Sequence, residues 1–237
     1  MRPSSTTSVL LANVTLFAGL SASDRAALSA ALRRRQFAKD EVIFQKGDPG
    51  EALCIIAAGT VKIVLSSAEG KEILLALLGT GDFFGELSLL DGEPRSADAV
   101  AQDDCRLLLL RREDFLGFVR GHPQFAESLL RVLARRLRAT DDIVDEAAFL
   151  DLPTRLARLL LRLARTHGRQ ERDGLVVGMR LTHGEVASMI GSSRESVNRC
   201  LKQWEREGLI AYHGGLLTLR RPDALRERSV PGEETKD

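Results

Sequence analysis

The stretch "LTHGEVASMIGSSRESVNRCLKQWEREGLI", residues 181–210, contains the starts of two short helices close together. A Ser or Thr followed three residues later by Glu is a capping box, in which the two side chains bind free backbone N–H groups at the amino end of a helix. Thr182 with Glu185 and Ser192 with Glu195 both fit this pattern. With Gly191 in the turn between them, the stretch predicts a helix-turn-helix.

The second predicted helix has an apolar face and a charged face. Val197, Leu201 and Trp204 recur at i, i+4 and i+7 and predict a buried stripe. Arginine can bond bidentately to guanine and glutamate can accept from the cytosine amino group, so the opposite face suits DNA. That face carries Arg194, Glu195, Asn198, Arg199 and Lys202. The alternative is an ordinary solvated ion pair between Glu195 and Arg199.

The rest of the carboxyl-terminal half supports a polyanionic partner. The segment "LIAYHGGLLTLR", residues 209–220, predicts a hairpin with a Gly-Gly turn that resembles a wing. Residues 152–237 carry 16 Lys and Arg against 11 Asp and Glu, whereas residues 1–151 carry 18 against 22. The basic half is therefore where we expect double-stranded DNA to bind.

Composition excludes several classes of protein. Hydrophobic residues make up 44% and charged residues 28%, as in ordinary globular proteins. No apolar stretch approaches the ~20 residues of a membrane span, and no signal peptide is recognisable, so we expect a cytoplasmic protein without a membrane partner. Cys54, Cys105 and Cys200 are far apart, which predicts buried thiols and no metal site, iron-sulfur cluster or disulfide.

Upstream of the basic half the sequence changes texture twice. Residues 21–32 predict a short amphipathic helix with Ser23 as its N-cap. Residues 36–110 are short β-branched and leucine-rich runs separated by turn signals such as "QKGDPGE", "GTGD" and "DGEP". Turn signals at this spacing predict an all-β sandwich or barrel.

A long helix is predicted over residues 123–151, which contain no internal glycine or proline. Small and apolar residues recur there at alternating intervals of four and three, the a/d pattern of a two-stranded coiled coil. They are Ala126, Leu130, Leu133, Leu137, Thr140, Val144 and Ala147. A parallel homodimer is the interpretation, and one helix packed on its own β domain is the alternative.

The segment "FGELSLLDGEPRSA", residues 84–97, places a carboxylate next to a glycine and an arginine next to a hydroxyl. Glu86 can accept ribose hydroxyl bonds, Arg95 can pair with a phosphate beside Ser96, and Gly85 lets the backbone approach the sugar. The segment therefore suits a nucleotide monophosphate. We expect Arg95 to bind this ligand without taking part in the fold. A surface Glu-Arg pair in a β turn is the alternative.

Four motifs together resemble the cyclic-AMP receptor protein and fumarate-nitrate regulator (Crp/Fnr) superfamily of bacterial transcription factors. They are "GDPGEALCIIAAGTVKI", "GDFFGELSLLDGEPRSA", "LARRLRATDDIVDEAAFLD" and "GSSRESVNRCLKQWEREGLI". The resemblance covers residues 14–221. It implies an α+β protein with an amino-terminal cyclic-nucleotide-binding β roll of the jelly-roll type, a long dimerisation helix and a carboxyl-terminal winged helix-turn-helix.

The resemblance also implies roles for individual residues. In the β roll, the cyclic nucleotide would be held by Gly85, Glu86, Leu87, Arg95 and Ser96, with Thr140 on the long helix contacting the purine. Asp141 stands where the family often has serine, and this departure leaves three outcomes open: cyclic AMP as effector, cyclic GMP as effector, or loss of nucleotide binding. In the recognition helix, Arg194, Glu195 and Arg199 match the residues that read bases, and Thr182 and Ser193 match phosphate contacts.

The resulting domain prediction is a disordered segment 1–13, a cyclic-nucleotide-binding domain 14–122, a dimerisation helix and hinge 123–151, a winged helix-turn-helix 152–228 and a disordered tail 229–237. We expect a homodimeric regulator, not an enzyme, that is gated by a cyclic nucleotide and binds a two-fold symmetric operator with TGTGA-like half-sites. RNA polymerase is a further expected partner. The sequence lacks the cysteine cluster or haem ligand of gas-sensing relatives. The alternatives are a family regulator that needs no effector and, remotely, a nucleotide-processing enzyme.

Overall fold

The computed structural model describes residues 11, 14–17, 19–67, 72–178 and 180–230, without the side chains of residues 15, 166 and 167. Most of the predicted disordered ends, residues 1–13 and 229–237, lie outside these ranges. The chain divides into two compact units within its longest helix, the first ending at Ala139 and the second beginning at Thr140, with residues 72–74 grouped with the second. The domain boundaries given above stay predictions.

The first unit contains two four-stranded sheets, ordered β1-β8-β3-β6 and β2-β7-β4-β5. Strand β8 pairs antiparallel with both β1 and β3, and β7 pairs antiparallel with both β2 and β4. The strands are β1 (Arg33–Phe37), β2 (Val42–Phe44), β3 (Ala52–Ala58), β4 (Val61–Ser66), β5 (Glu72–Leu78), β6 (Phe83–Phe84), β7 (Asp98–Ala101) and β8 (Cys105–Arg111). The prediction of stacked β-strands for residues 36–110 is confirmed, although one short helix, Leu87–Asp91, lies between β6 and β7.

Strand β3 shows why the two sheets stack. Its side chains alternate between the faces of the sheet, as a strand requires. Cys54 and Ile56 join the core between the two sheets, whereas Leu53 and Ile55 join the core that the helices cover. All four are buried, so β3 reads as a continuous apolar run rather than an alternating one.

Three helices of the first unit are α1 (Ala22–Ala31), α2 (Leu87–Asp91) and α3 (Arg112–Gly121). The N-cap of α1 is Ser21, whose side chain accepts from the Asp24 backbone N–H, so the prediction of Ser23 was wrong. The sequence "SASD" offers two serines. Ser21 is the one that lies three residues before Asp24, where an N-cap oxygen can reach a free N–H.

Helix α4 (Pro123–Phe149) is the predicted long helix. Its first turns pack on the β domain of the same chain through the buried Phe125 and Leu129. Beyond them Leu130, Leu137 and Val144, spaced by seven residues, are 63 to 66% exposed. The alternative of a helix packed on its own domain therefore describes the amino-terminal part of α4, where the seam residue Leu133 also packs on that core. Leu130, Leu137 and Val144 remain without cover in the single chain.

The second unit is a winged helix-turn-helix. Its helices are α5 (Leu152–His167), α6 (His183–Met189), α7 (Arg194–Arg206) and α8 (Pro222–Arg228), and its sheet is ordered β11-β12-β10-β9. These strands are β9 (Gly168–Glu171), β10 (Gly174–Val177), β11 (Ile210–His213) and β12 (Leu216–Leu219). Together the two units confirm the predicted α+β architecture.

The predicted Gly-Gly turn of the wing and the predicted stripe of α7 are both confirmed. Gly214 and Gly215 join β11 to β12 with φ of 57° and 84°, the positive values that a type I′ hairpin turn needs. Val197, Leu201 and Trp204 are at most 1% exposed and form the centre of the core of this unit.

Candidate functional site

The turn after β6 brings the glycine and the arginine of the predicted nucleotide site together. Gly85 has φ of 80°, a conformation that glycine adopts without strain. Its carbonyl accepts a hydrogen bond of 2.6 Å from Arg95 Nη1. A Cβ at position 85 would lie 2.4 Å from the same nitrogen, so this close approach also requires a residue without a side chain.

Arg95 is held inside the protein. Only 6% of it is exposed, its Nη2 donates to the Ala52 carbonyl at 2.8 Å, and its guanidinium lies 4.3 Å from the centre of the Phe44 ring. Burial lowers the pKa of the guanidinium, although arginine stays charged at any physiological pH. The expectation that Arg95 takes no part in the fold was wrong, because Arg95 joins the turn after β6 to strand β3.

Glu86 is equally buried, at 3% exposure, and its partner was not predicted. Its Oε1 accepts a hydrogen bond of 2.8 Å from Nη1 of Arg136 on α4. Arg136 also donates to the Phe83 carbonyl and lies over the Phe83 ring. Arg136 precedes Thr140 by four residues and so lies on the same helix face, which is the signal in the sequence that would have identified it.

Two polar atoms of this site lack a hydrogen-bond partner among the described residues. They are Glu86 Oε2 and Arg95 Nε, both buried. A buried acceptor or donor without a partner costs about 1 to 3 kcal/mol, so native proteins rarely leave one unless a ligand or water binds there. The two other predicted residues of the turn, Leu87 and Ser96, are exposed. The site can therefore offer a carboxylate acceptor and a cationic donor to one ligand.

The structure assigns Thr140 and Asp141 to the second unit, where both are exposed residues of α4. Their predicted roles toward the nucleotide, and those of Gly85, Glu86, Leu87, Arg95 and Ser96, stay predictions.

The helix-turn-helix is built on side-chain caps. Thr182 accepts from the Glu185 backbone N–H and Glu185 accepts from the Thr182 backbone N–H, which confirms the first capping box. The second was wrong: Ser193, not Ser192, caps α7 by accepting from the Ser196 backbone N–H. Glu195 is then the second helical residue, so it cannot complete a box and its carboxylate stays exposed.

The predicted DNA-facing residues of α7 lie on its outer face. Arg194, Glu195, Arg199 and Lys202 are exposed and Asn198 is half-buried. Arg199 Nη2 lies 3.4 Å from Ser196 Oγ, and among the described residues no ion pair joins Arg199 to Glu195. The charged groups are thus available to a partner. Their roles in base reading, and those of Thr182 and Ser193 at phosphates, stay predictions.

His183 is a neighbour of this face that the sequence did not identify as a site residue. It begins α6, and its ring lies 4.6 Å from that of Tyr212 on β11. Burial, and next the charge of Arg194, lower the pKa of the imidazole. We therefore expect the protonation of His183 to depend on the charge of the recognition helix.

The described residues also bear on the expectations for cysteines, metal ligands and membrane-spanning helices. All three cysteines are buried and unpaired, as predicted, and burial raises the pKa of Cys54 to about 12. Within the described ranges, no group of three or more His, Cys, Asp or Glu side chains could hold a metal ion. No described helix is long and apolar enough to cross a membrane.

Both units match known domain families. Residues 34–122 match the cyclic nucleotide-binding domain, and residues 154–228 match the Crp-like helix-turn-helix domain.

Curated relatives match over almost their whole length. The chain is 37% identical over 220 residues to the CRP-like cAMP-activated global transcriptional regulator of Mycobacterium tuberculosis, covering 93% of this chain and 98% of that protein. It is 39% identical over 212 residues to the cyclic AMP receptor protein of Thermus thermophilus, covering 90% and 95%. Among solved structures, the c-di-GMP responsive global regulator CLP of Xanthomonas campestris superposes with a TM-score of 0.74 at 26% identity, covering 80% and 94%.

Proposed function

The chain belongs to the Crp/Fnr family of transcription regulators, with a cyclic nucleotide-binding domain and a helix-turn-helix domain. From this premise we propose that it is a homodimer whose affinity for a DNA operator is set by a cyclic nucleotide bound in the β roll. The family is one of transcription regulators rather than enzymes.

The observation that carries the proposal is the pair of unsatisfied buried atoms, Glu86 Oε2 and Arg95 Nε. A cyclic nucleotide has both complements: a ribose hydroxyl donates to the carboxylate, and the single negative charge of the cyclic phosphate pairs with the guanidinium. A ligand can shift the protein toward its DNA-binding state only by binding that state more tightly. Glu86 is also bonded to Arg136 on α4, so ligand contact with Glu86 reaches the helix that carries the apolar seam.

A second copy of the chain is the proposed occupant of that seam. Leu130, Leu137 and Val144 leave large apolar areas exposed at a spacing of one heptad, which suits a two-stranded coiled coil. A parallel dimer presents two recognition helices related by a two-fold axis, and hence favours a two-fold symmetric operator. We propose TGTGA-like half-sites, from the match of Arg194, Glu195 and Arg199 to the family residues that read bases, and RNA polymerase as a further partner.

The effector is proposed to be cyclic AMP, with cyclic GMP as the competitor. Two relatives are named for cyclic AMP. Asp141, however, can accept from the adenine amino group or from the paired N–H donors of guanine. We expect Asp141→Ser to raise the affinity for cyclic AMP relative to cyclic GMP, measured by titration calorimetry of both nucleotides on both proteins. An unchanged affinity ratio would remove Asp141 from the site.

One observation favours a second function, that of a family regulator needing no effector. Arg95 is already bonded to two carbonyls and Glu86 to Arg136, so the pocket has internal partners without a nucleotide. Two measurements separate the functions: calorimetry with cyclic AMP and cyclic GMP, and operator affinity with and without each nucleotide. Gating predicts binding of one nucleotide and at least tenfold tighter operator binding in its presence. Absence of both effects, with specific operator binding retained, would replace gating with the effector-free function. Analysis of the nucleotide after incubation tests the remote enzyme alternative.

A further inference from the structure

A cleft of about 530 Å³ lies in the second unit, and none of the predicted nucleotide-binding residues lines it. Its walls come from the last turns of α4, from one face of α5, from β10 and from α8. This volume is within the ~300 to 1,000 Å³ that small-molecule sites occupy.

The cleft carries an excess of arginine. Arg158, Arg162 and Arg165 follow one another at i, i+4 and i+7 on α5 and so share a face, and Arg226 of α8 also lines the cleft. Glu146 is the one carboxylate among the lining residues. Its Oε1 lies 3.6 Å from Arg162 Nη1 and 3.9 Å from Arg158 Nη1, near the outer limit of an ion pair. Arg226 is in turn paired with Asp223 of the same helix. The four lining arginines therefore have two carboxylates among their ion-pair partners, so arginine outnumbers carboxylate at the cleft.

Part of this arrangement is fixed before any ligand binds. Arg158 Nε donates to the Ser229 carbonyl at 2.9 Å, which ties the guanidinium to the residue that follows α8. The Glu146 side chain is only 13% exposed. In contrast, Arg165 makes no hydrogen bond or ion pair with any other residue that the structure describes. Because the Arg158 guanidinium is already fixed, less conformational entropy is lost when an anion binds to it, and Arg165 is available as a second donor.

Apolar side chains complete the walls. Leu161, Leu175 and Pro222 line the cleft beside the arginines. Guanidinium groups bind phosphate through paired N–H donors, and apolar walls contact a ring or sugar. A flat cationic patch could bind the phosphates of a polymer backbone equally well. A concave cleft with apolar walls favours a small molecule that carries both a phosphate and a ring or sugar.

We propose that this cleft is a second ligand site, which binds a small phosphorylated molecule of the nucleoside polyphosphate class. All of its lining residues belong to the second unit, and none of them belongs to the turn that carries Glu86 and Arg95. It does not depend on the proposed function, because none of its residues belongs to the nucleotide turn or to the outer face of α7.

The test is calorimetry of the full-length protein with pyrophosphate and with ATP as probes. Arg162→Gln/Arg165→Gln removes two charges from the cleft. Arg169→Gln/Arg172→Gln removes two charges from exposed arginines nearby that do not line it, and is the matched control. Arg95→Gln reports binding in the β roll instead. Circular dichroism and the melting temperature of each variant show whether it is folded.

We expect both probes to bind the wild type, with ATP tighter than pyrophosphate through the apolar walls. The cleft variant should lose at least tenfold in affinity while the control changes less than twofold. Equal losses in cleft and control variants would mean a general charge effect and overturn the site, as would binding that only Arg95→Gln removes. A tenfold loss of operator affinity in the cleft variant without nucleotide would make these arginines DNA contacts and also overturn it. Should the cleft double variant fail to fold, Arg165→Gln alone is the decisive variant, with the same expected loss of binding.

Discussion

The nucleotide turn and the recognition helix place similar side chains in opposite environments. Glu86 and Arg95 are buried and already bonded within the chain. Glu195 and Arg199 are exposed, and the side-chain caps of the motif come from other residues, Thr182 at α6 and Ser193 at α7.

The difference indicates how each region can respond to its partner. A nucleotide bound at the turn, as proposed, would contact side chains that already stabilise the fold, so we expect its binding to change the structure around them. DNA bound at α7, in contrast, would add contacts to exposed side chains that make few contacts within the protein. The helix that carries them is already stabilised by its N-cap. The pocket is thus the region suited to switching and the helix the region suited to reading.

The largest effect should come from Trp204→Ala. Trp204 is 1% exposed at the centre of the second core, and truncating a buried tryptophan costs about 3 to 5 kcal/mol. We expect loss of operator binding at physiological temperature with nucleotide binding retained, because the nucleotide turn has a separate core. Urea denaturation followed by circular dichroism measures the loss of stability, and calorimetry with the nucleotide measures whether nucleotide binding is retained. Loss of nucleotide binding as well would show that the two regions cannot be treated separately.

The second effect concerns Arg95, whose role differs from the expectation. Arg95→Gln should weaken nucleotide binding at least tenfold, because it removes the charge-assisted bond to the phosphate. It should also lower the free energy of unfolding by about 1 to 3 kcal/mol, since it leaves the Gly85 and Ala52 carbonyls without their donor.

Arg106→Gln, at an exposed arginine of β8, is the control for the loss of charge. If the melting temperature of Arg95→Gln equals that of the control, Arg95 does not stabilise the fold and acts in nucleotide binding alone. Wild-type nucleotide affinity in Arg95→Gln would remove it from the site.

Much of the fold was predictable because its signals are local. Turn residues at close spacing predicted the strands, the heptad predicted α4, and the 3.6-residue period predicted Val197, Leu201 and Trp204 as core. Two of the predicted caps were wrong, since "SASD" and "GSSRE" each offer two serines within three residues. Which hydroxyl faces the free N–H depends on the dihedral angles at the helix start, and the pattern of residue types does not specify these.

The site was predictable in its residues but not in its internal bonds. Local spacing identified Glu86 and Arg95, yet their partners Arg136 and Ala52 are 50 and 43 residues away in sequence. Such contacts arise from the packing of α4 and β3 against the turn, which no short-range pattern contains. The involvement of Arg95 in the fold was missed for this reason.

The third effect tests the reading surface. If Arg199 pairs bidentately with guanine, Arg199→Ala should cost about 1 to 3 kcal/mol of operator binding and relax specificity at one base pair in each half-site. Arg206→Ala, in the last turn of the same helix and not among the residues predicted to contact DNA, is the control. Binding measured on operators with single base changes distinguishes the outcomes. A uniform loss across all sequences would make Arg199 a phosphate contact.

The smallest effect should be a proton-linked one at His183, beside the recognition helix. Burial and then Arg194 lower the pKa of this imidazole below its ordinary value of 6.5. A histidine whose pKa is lower in the folded than in the unfolded protein binds fewer protons when folded. Its contribution therefore favours the folded state less as the pH falls through 6.5 toward the lowered pKa, and is constant above 6.5.

Nuclear magnetic resonance of the His183 ring protons, assigned with His183→Gln, measures this pKa directly. We expect a midpoint below 6.5 in the free protein and a higher one in Arg194→Gln, because the nearby positive charge is gone. Operator DNA should raise it as well, since phosphates oppose the charge of Arg194 and Lys202. The complex would then take up protons and bind more tightly at pH 6 than at pH 8. A midpoint that neither Arg194→Gln nor the operator moves would show that His183 does not sense this surface, and the pH dependence of operator binding should then be the same in His183→Gln and wild type.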